Sequence, residues 1–254
     1  MRQDNAATIT SREVMPGVYL VWLKSPEIAP EAKPGQFVMV RCGEETMLRR
    51  PLSIHHRDGD KLALLFAVVG RGTAWLSRRH RGDRVDLLGP LGNGFGISPN
   101  AHHLLLVAGG IGIAPLRFLA DEAIRQGKQV TLLYGTPDKH RYPENLLPPG
   151  IELVATTEDG SIGKQGRVTD LLPELAKQAD QIFACGPASM YATMAPQPPL
   201  NEKSVQVSLE VRMGCGRGIC YGCTIMTKSG LKQVCRDGPV FELGDIIWDE
   251  ISQA

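Results

Sequence analysis

Four of the six cysteines lie close together near the end of the chain, as Cys215, Cys220, Cys223 and Cys235. Their spacing is C-x4-C-x2-C-x11-C. Three close thiolates with a distant fourth are typical of plant-type [2Fe–2S] sites, in which one loop surrounds the cluster and a later segment completes it. The interleaved glycines favour this interpretation, because they let backbone N–H groups approach the sulfurs. The segment therefore predicts a carrier of single electrons.

Two other interpretations of these cysteines stay open, a structural zinc site and a pair of disulfides. Zinc sites usually draw on two C-x2-C-like halves, whereas the second half here holds only Cys235. Disulfides are less expected, because six cysteines in 254 residues are sparse and the N-terminus lacks an apolar signal segment. The iron–sulfur interpretation is favoured over both.

The composition is that of an ordinary globular protein. The hydrophobic fraction is 43%, the charged fraction is 22% and the formal net charge is +1. A charge this small disfavours binding to nucleic acid or to an acidic membrane surface, and no apolar run is long enough to span a bilayer. We expect a cytoplasmic protein of two domains with a small third.

The first part of the chain predicts a small antiparallel barrel. Short segments rich in β-formers alternate with turn signals such as Pro16-Gly17 and Arg81-Gly82. Six strands are predicted, at 7–11, 18–24, 36–41, 52–56, 61–68 and 84–88, with one helix at 72–79. Six strands within about ninety residues are typical of a closed barrel. The glycine-rich stretch 89–96 marks the predicted domain boundary.

The second part predicts a doubly wound parallel sheet, because strands and helices alternate. The predicted strands are 104–108, 130–134, 151–156, 181–185 and 204–209, and the predicted helices are 113–126, 168–176 and one starting at 188. The cysteine segment begins at Glu210. We therefore expect a barrel domain at 1–97, a nucleotide-binding α/β domain at 98–205 and a cluster-binding domain at 206–254.

Two glycine-containing turns follow strands of the predicted sheet. Gly109, Gly110 and Gly112 lie where the first strand meets its helix, so that N–H groups and the helix N-terminus can hold a phosphate. Cys185-Gly186-Pro187 follows a later strand, a position that suits a nicotinamide. The simpler alternatives are a tight turn at the first site and a small apolar residue before a turn at the second.

The barrel carries two motifs of its own. Arg50-Pro51-Leu52-Ser53 puts a guanidinium that could neutralise a pyrophosphate beside a hydroxyl that could hydrogen-bond a flavin. Gly72 and Thr73 begin a helix whose first N–H groups could bind phosphate oxygens. Taken singly, each is equally compatible with a surface arginine or an ordinary helix cap.

In this order, the motifs resemble those of the ferredoxin–NADP reductase superfamily, and with the cysteine segment they resemble the electron-transfer subunits of class 1B dihydroorotate dehydrogenases. The resemblance implies FAD on the barrel, NAD(H) on the α/β domain and a [2Fe–2S] cluster on the four cysteines. The implied FAD contacts are Arg50, Pro51, Leu52, Ser53, Ala67, Val68, Val69, Gly72 and Thr73. The implied NAD contacts are Gly109, Gly110, Gly112, Cys185, Gly186 and Pro187, and the implied metal ligands are Cys215, Cys220, Cys223 and Cys235.

The resemblance also implies a partner. Electrons would pass between NAD(H), FAD and the cluster, to or from the FMN of a dihydroorotate dehydrogenase catalytic subunit in UMP biosynthesis, in a heterotetramer with two copies of each subunit. Nothing in the chain looks like a dihydroorotate site. Reductase subunits of hydrogenases, sulfite reductases or ferredoxin–NADP oxidoreductases are the alternative, and a zinc-binding module is a third possibility.

The choice between NAD and NADP stays open at the level of residues. Asp138, after the second strand of the sheet, favours a free ribose hydroxyl, whereas Lys139 and Arg141 favour a 2′-phosphate. Only the resemblance favours NAD.

Overall fold

A computed structural model of the chain describes residues 1–142, 146–200 and 202–251. It confirms the predicted fold class: a closed six-stranded antiparallel barrel, a mainly parallel sheet flanked by helices, and a small C-terminal segment. None of the helices in these ranges is long and apolar enough to cross a membrane.

The barrel closes in the strand order β1-β2-β5-β4-β3-β6. Alternate residues point inward, as Leu62 and Leu64 on one strand and Val85 and Leu87 on another, which lie in one buried cluster. One helix lies between the last two strands. The elements are β1 (Arg2–Met15), β2 (Val18–Lys24), β3 (Phe37–Val40), β4 (Arg50–Asp58), β5 (Lys61–Ala67), α1 (Arg71–Ser77) and β6 (Arg84–Leu91).

The parallel sheet is buried on both faces, which explains its continuous apolar strands. Leu104 and Leu106 pack in one core with the next helix, and Leu105 and Val107 pack in a second core on the opposite face. The elements are β7 (His103–Gly109), α2 (Ile113–Arg125), β8 (Gln129–Thr136), β9 (Glu152–Thr157), β10 (Lys164–Gln165), α3 (Val168–Gln178), β11 (Gln181–Cys185), α4 (Ala188–Met194) and β12 (Val205–Ser208).

The cysteine segment folds against both larger units. Its elements are β13 (Thr224–Thr227), β14 (Gly230–Gln233), α5 (Val234–Asp237), β15 (Val240–Glu242) and α6 (Trp248–Ile251). β15 pairs antiparallel with β12 and extends the parallel sheet to the order β10-β9-β8-β7-β11-β12-β15. The Asn93 N–H, just beyond β6, donates to the Gly238 carbonyl at 2.6 Å. The segment is therefore held at the edge of the sheet and against the end of the barrel.

Candidate functional site

The four C-terminal cysteines meet as two pairs. The thiols of Cys215 and Cys220 lie within hydrogen-bonding reach of each other, and so do those of Cys223 and Cys235. The β13–β14 hairpin brings the second pair together, because the pairing of Thr224 with Gln233 places Cys223 opposite Val234, the residue that precedes Cys235. The Val234 N–H accordingly donates to the Cys223 carbonyl at 3.0 Å.

Backbone N–H groups of the loop point at the sulfurs. Cys215 Sγ accepts three of them at 3.3–3.4 Å, from Arg217, Ile219 and Cys220. The Gly218 N–H donates to Cys235 Sγ at 3.1 Å. Burial opposes the thiolate of Cys215, but these N–H groups outweigh it and lower its pKa to about 6. The loop thus stabilises negative charge on the Cys215 sulfur, whereas burial and the neighbouring Cys223 thiol raise the pKa of Cys235 to about 12 despite the Gly218 N–H.

This geometry fits a [2Fe–2S] cluster better than a zinc ion. Each iron of such a cluster takes two thiolates, which matches two separate thiol pairs. A structural zinc ion instead needs four ligands converging on one point.

The two barrel motifs come into contact. A Cβ added to Gly72, in the first turn of α1, would lie 2.9 Å from Arg50 Nε at the start of β4. The Thr73 hydroxyl accepts the N–H groups of Val69 and Gly70 at 3.0 and 3.2 Å, so it closes the turn that precedes the helix. The first N–H groups of α1 have no partner within the helix and stay available to a ligand.

The two adjacent arginines of this region differ in their partners. Arg49 is paired with the Asp86 carboxylate at 2.6 Å. Arg50 donates to the Leu48 carbonyl, and its other N–H groups have no acceptor in the part of the chain that the structure describes. The Ser53 hydroxyl, half-buried on the same strand, also lacks a protein partner there. Both groups of the motif are thus free to bind a polar ligand.

Apolar side chains are unusually exposed around this motif. Val69 is 86% exposed and Met47 is 98% exposed, and their neighbours Val68 and Leu48 are 36% and 51% exposed. Val68 and Val69 follow Ala67, the last residue of β5. Exposed apolar groups beside unpaired donors are expected where a large, partly apolar ligand covers them. The exposed apolar groups and unpaired donors of this region have the chemistry that a flavin nucleotide needs, and the contact between Gly72 and Arg50 brings the two barrel motifs together.

The two glycine turns of the sheet also meet. The Gly109 and Gly186 backbones are in contact, since a Cβ on Gly109 would lie 3.5 Å from Gly186 Cα. A Cβ on Gly112 would lie 1.9 Å from the Cys185 carbonyl oxygen, so this glycine is needed for close packing of helix against strand. Gly109, Gly110 and Pro187 line a cleft of about 370 Å³ at the carboxyl ends of the strands.

A buried tyrosine fixes the second of these turns. Tyr191 Oη accepts the Gly186 N–H at 2.9 Å and donates to the Ser208 carbonyl at 2.8 Å. Cys185 is 1% exposed, and burial raises the pKa of its thiol well above the usual range. Cys185 and Gly112 thus lie beneath the cleft and support it.

The cleft contains residues that the sequence motifs did not include. Arg141, Glu158 and Arg167 all line the cleft. The sequence pattern indicates a role in dinucleotide choice for Arg141, in the loop after β8. It does not single out Glu158, which follows β9, or Arg167, which precedes α3. The rule that ligands bind beyond the carboxyl ends of parallel strands points to both. The available signal was their position at predicted strand and helix ends.

The three candidate sites are contiguous. The cysteine loop packs on β3 of the barrel through Gly216 and Met39. Met39 pairs with Pro51 of the arginine motif across the β3–β4 ladder. Further along β4, His55 Nδ1 donates to the Ala114 carbonyl in the first turn of α2 at 2.9 Å. The barrel motif is therefore held between the cysteine loop and the glycine turn of the cleft.

Comparison with known proteins assigns two parts of the chain. Residues 210–247 match the iron-sulfur cluster binding domain of dihydroorotate dehydrogenase B. Residues 106–195 match the oxidoreductase NAD-binding domain.

Full-length relatives decide the family. The electron transfer subunit of dihydroorotate dehydrogenase B (NAD(+)) from Desulforamulus reducens is 39% identical over 248 residues, which cover 93% of this chain and 95% of the relative. That from Geobacillus kaustophilus is 37% identical over 256 residues, or 96% and 98% of the two chains. The chain belongs to the family of dihydroorotate dehydrogenase B electron transfer subunits. The resemblance in the motifs is confirmed.

Two solved reductase structures resemble this dihydroorotate dehydrogenase B family member. A structure of the NADH-dependent reduced ferredoxin-NADP oxidoreductase has a TM-score of 0.87 and 30% identity, covering 98% of this chain and 92% of that one. A ferredoxin NADP+ reductase from Neisseria gonorrhoeae, solved with FAD and NADP, has a TM-score of 0.64 at 19% identity, covering 78% and 92%. The second likeness concerns the fold alone.

Proposed function

We propose that this chain carries electrons between NAD(H) and a separate dihydroorotate dehydrogenase catalytic subunit that contains FMN, in UMP biosynthesis. FAD and a [2Fe–2S] cluster would be its resident cofactors. The observation that carries the proposal is the pairing of four cysteine thiols, with N–H groups aimed at them, on a loop that packs against β3, the strand paired with the flavin-type barrel motif. The names and coverage of the curated relatives support it.

The division of labour follows from where the residues lie. A bound flavin exchanges electron pairs with a nicotinamide and single electrons with an iron–sulfur cluster, a chemistry that the protein only positions and tunes. Cys215 and Cys220 would hold one iron, and Cys223 and Cys235 the other. The N–H groups at Cys215 and Cys235 stabilise the negative charge that these thiolates carry.

On the barrel, the unpaired N–H groups of Arg50 would neutralise the FAD pyrophosphate, and the Ser53 hydroxyl would hydrogen-bond the flavin. Gly72 and Thr73 would present their N–H groups to phosphate oxygens. The remaining predicted contacts, Pro51, Leu52, Ala67, Val68 and Val69, supply apolar surface, and the high exposure of Val69 supports that role.

On the sheet, Gly109 and Gly110 bring backbone close to the cleft and would approach the dinucleotide. Pro187 lines the cleft beside them, and the Tyr191 hydroxyl holds the preceding residue, Gly186, in place. Gly112 and Cys185 would act from beneath by fixing the spacing of helix and strand. NAD(H) would thus lie across the carboxyl ends of β7 and β11.

The partner would dock over the cysteine loop. Ile219 and Tyr221 are 66% and 69% exposed and flank Cys220, which is also exposed, so apolar surface surrounds the first thiol pair. We propose a heterotetramer with two copies of each subunit. A cytoplasmic location is part of the proposal, since free thiols that hold a cluster need a reducing compartment.

One observation favours a second candidate. The likeness to the NADH-dependent reduced ferredoxin-NADP oxidoreductase covers nearly the whole chain at 30% identity. A reductase subunit of such a complex would keep the same cofactors and change only the partner.

Co-expression with candidate partners tests the assignment. The affinity-tagged chain is co-expressed with an FMN-containing dihydroorotate dehydrogenase subunit and purified anaerobically. We expect a stable complex that reduces NAD+ with dihydroorotate, while this chain alone reduces dyes with NADH but does not oxidise dihydroorotate. Absence of a complex, combined with dihydroorotate-independent transfer to ferredoxin, would favour the second candidate.

A further inference from the structure

The NAD-type cleft is lined by side chains of opposite charge. Gly109, Gly110 and Pro187 line one part of the cleft, and Arg141, Glu158 and Arg167 lie among the residues that line the rest. Glu158 is the acidic side chain among the described lining residues. Within the described ranges, none of these three charged groups takes part in an ion pair.

The acidic residue predicted from the sequence to contact the ribose is occupied elsewhere. The Asp138 carboxylate accepts the His140 N–H at 2.8 Å and caps the short turn after β8, and it does not line the cleft. Lys139 is also absent from the lining, and its N–H donates to Ser161 Oγ at 2.9 Å. Of Asp138, Lys139 and Arg141, only Arg141 lines the cleft.

Glu158 sits on a rigid support. Its N–H donates to the Thr136 carbonyl at 3.2 Å, which continues the β8–β9 pairing by one residue. Its carbonyl accepts from Gln165 Nε2 at 3.2 Å. The Thr157 hydroxyl closes the following turn by donating to the Ile162 carbonyl at 2.8 Å. The carboxylate therefore projects from a backbone held on both sides, as specific recognition requires.

We propose that Glu158 selects NAD(H) over NADP(H) by accepting hydrogen bonds from the free hydroxyls of the adenine ribose. The inference rests on the proposed dinucleotide function of the cleft. NAD and NADP share the diphosphate, for which Arg141 and Arg167 supply positive charge. They differ at the ribose 2′ position, where a carboxylate binds a hydroxyl and repels a phosphate. Removing the carboxylate removes both the hydrogen bonds to the hydroxyl and the repulsion of the phosphate.

The test compares Glu158→Gln, Glu158→Asp and Asp159→Asn with the parent chain, all loaded with FAD and cluster. Asp159→Asn removes the same charge one residue away, where the side chain caps its own turn at Ser161 and does not line the cleft. Dye reduction gives kcat/KM for NADH and NADPH. Calorimetry gives Kd for two probes, 5′-AMP and adenosine 2′,5′-bisphosphate, independently of turnover.

We expect Glu158→Gln to shift the NADPH to NADH ratio of kcat/KM by about ten- to hundredfold, the factor for a hydrogen bond to a charged group. The same variant should bind the bisphosphate more tightly and 5′-AMP more weakly. Glu158→Asp and Asp159→Asn should keep the parental preference. An unchanged ratio in Glu158→Gln, or an equal shift in Asp159→Asn, would overturn the inference. A parent chain that oxidises neither dinucleotide would instead refute the proposed function.

Discussion

A Cβ placed on Gly216 would lie 2.5 Å from Cγ of Met39, so the cysteine loop and barrel strand β3 touch with no room for a side chain between them. Met39 is fully buried and pairs with Pro51 on β4. Gly216 also has a φ of +67°, a conformation that favours glycine. The glycine therefore permits both the turn of the loop and its direct contact with the strand pair that carries the arginine motif.

Substitution of Gly216 should disturb the contact between loop and barrel. In Gly216→Ala the added methyl group meets buried Met39, and the loop must shift away from β3. We expect lower cluster occupancy and slower cluster reduction by NADH, by about tenfold or more if the loop moves by an ångström. Iron content and stopped-flow absorbance measure the two effects.

Gly17→Ala is the matched control for this variant. Gly17 has a φ of +72°, and nothing lies within 4 Å of its added Cβ. Both variants carry the conformational strain of about 1 kcal/mol, but only Gly216→Ala carries the clash. Equal cluster reduction in the two variants would mean that the contact with Met39 does not position the cluster.

Removal of one cluster ligand should eliminate the iron–sulfur cluster and leave the flavin site functional. Cys223 is buried, and its Sγ accepts the Cys235 N–H at 3.5 Å. Cys223→Ser should abolish iron binding, because one iron of the cluster loses a thiolate, while NADH–dye reduction through FAD continues. Absorption spectra and diaphorase assays measure this. Loss of flavin reduction together with the cluster would show that the sites are not separable.

The two adjacent arginines should differ in their effect on FAD. Arg50→Ala removes the guanidinium with free N–H groups, and we expect FAD to bind at least about tenfold more weakly, as for a lost charge-assisted hydrogen bond. Arg49→Ala breaks the pair with Asp86 and should lower stability without that loss. FAD retention after gel filtration distinguishes them. Equal FAD content in both variants would show that Arg50 does not contribute to FAD binding.

His55 should make the protein sensitive to acid. Burial lowers the pKa of His55 to about 3, although its bond to the Ala114 carbonyl opposes the shift, whereas the unfolded chain titrates near 6.5. Below about pH 6.5 the unfolded state therefore binds one more proton, and stability falls by about 1.4 kcal/mol per pH unit until the folded pKa is approached. His55→Asn should remove this component of the slope.

Thermal or urea unfolding between pH 7 and pH 4 measures the slope. His80→Asn, at a side chain that is 89% exposed, is the control and should behave as the parent chain does. If His55→Asn keeps the parental pH dependence, His55 is not the residue responsible.

The architecture and the clustered motifs were predictable from sequence because they depend on local signals. Glycine turns after apolar strands and close cysteine spacing are local signals of this kind. Most strands and helices of the first two units lie within a few residues of their predicted ends, but β1 (Arg2–Met15) is much longer than the predicted 7–11, and the two-residue β10 was not predicted. The small elements after Glu210 were not predicted, since β13 to α6 are three or four residues long and are stabilised by packing.

The contacts between the units could not be predicted from the sequence, for a different reason. Strict pleat alternation predicts that His55 and His56 face opposite sides, one in the barrel and one in solvent. A β-bulge between Ile54 and His56 changes this, and both histidines meet α2. Glu158 was missed similarly, because its role depends on which loops the sheet order brings to one edge.

Anaerobic titration with NADH, followed by visible absorption and by iron and acid-labile sulfide analysis, tests the central claim most directly. The claim is that one chain passes electrons from NADH through a flavin to the paired cysteines. We expect one FAD, two irons and two sulfides per chain, with flavin bands and the broad iron–sulfur absorption both bleached by NADH. A colourless protein containing one zinc per chain, unchanged by NADH, would contradict the account.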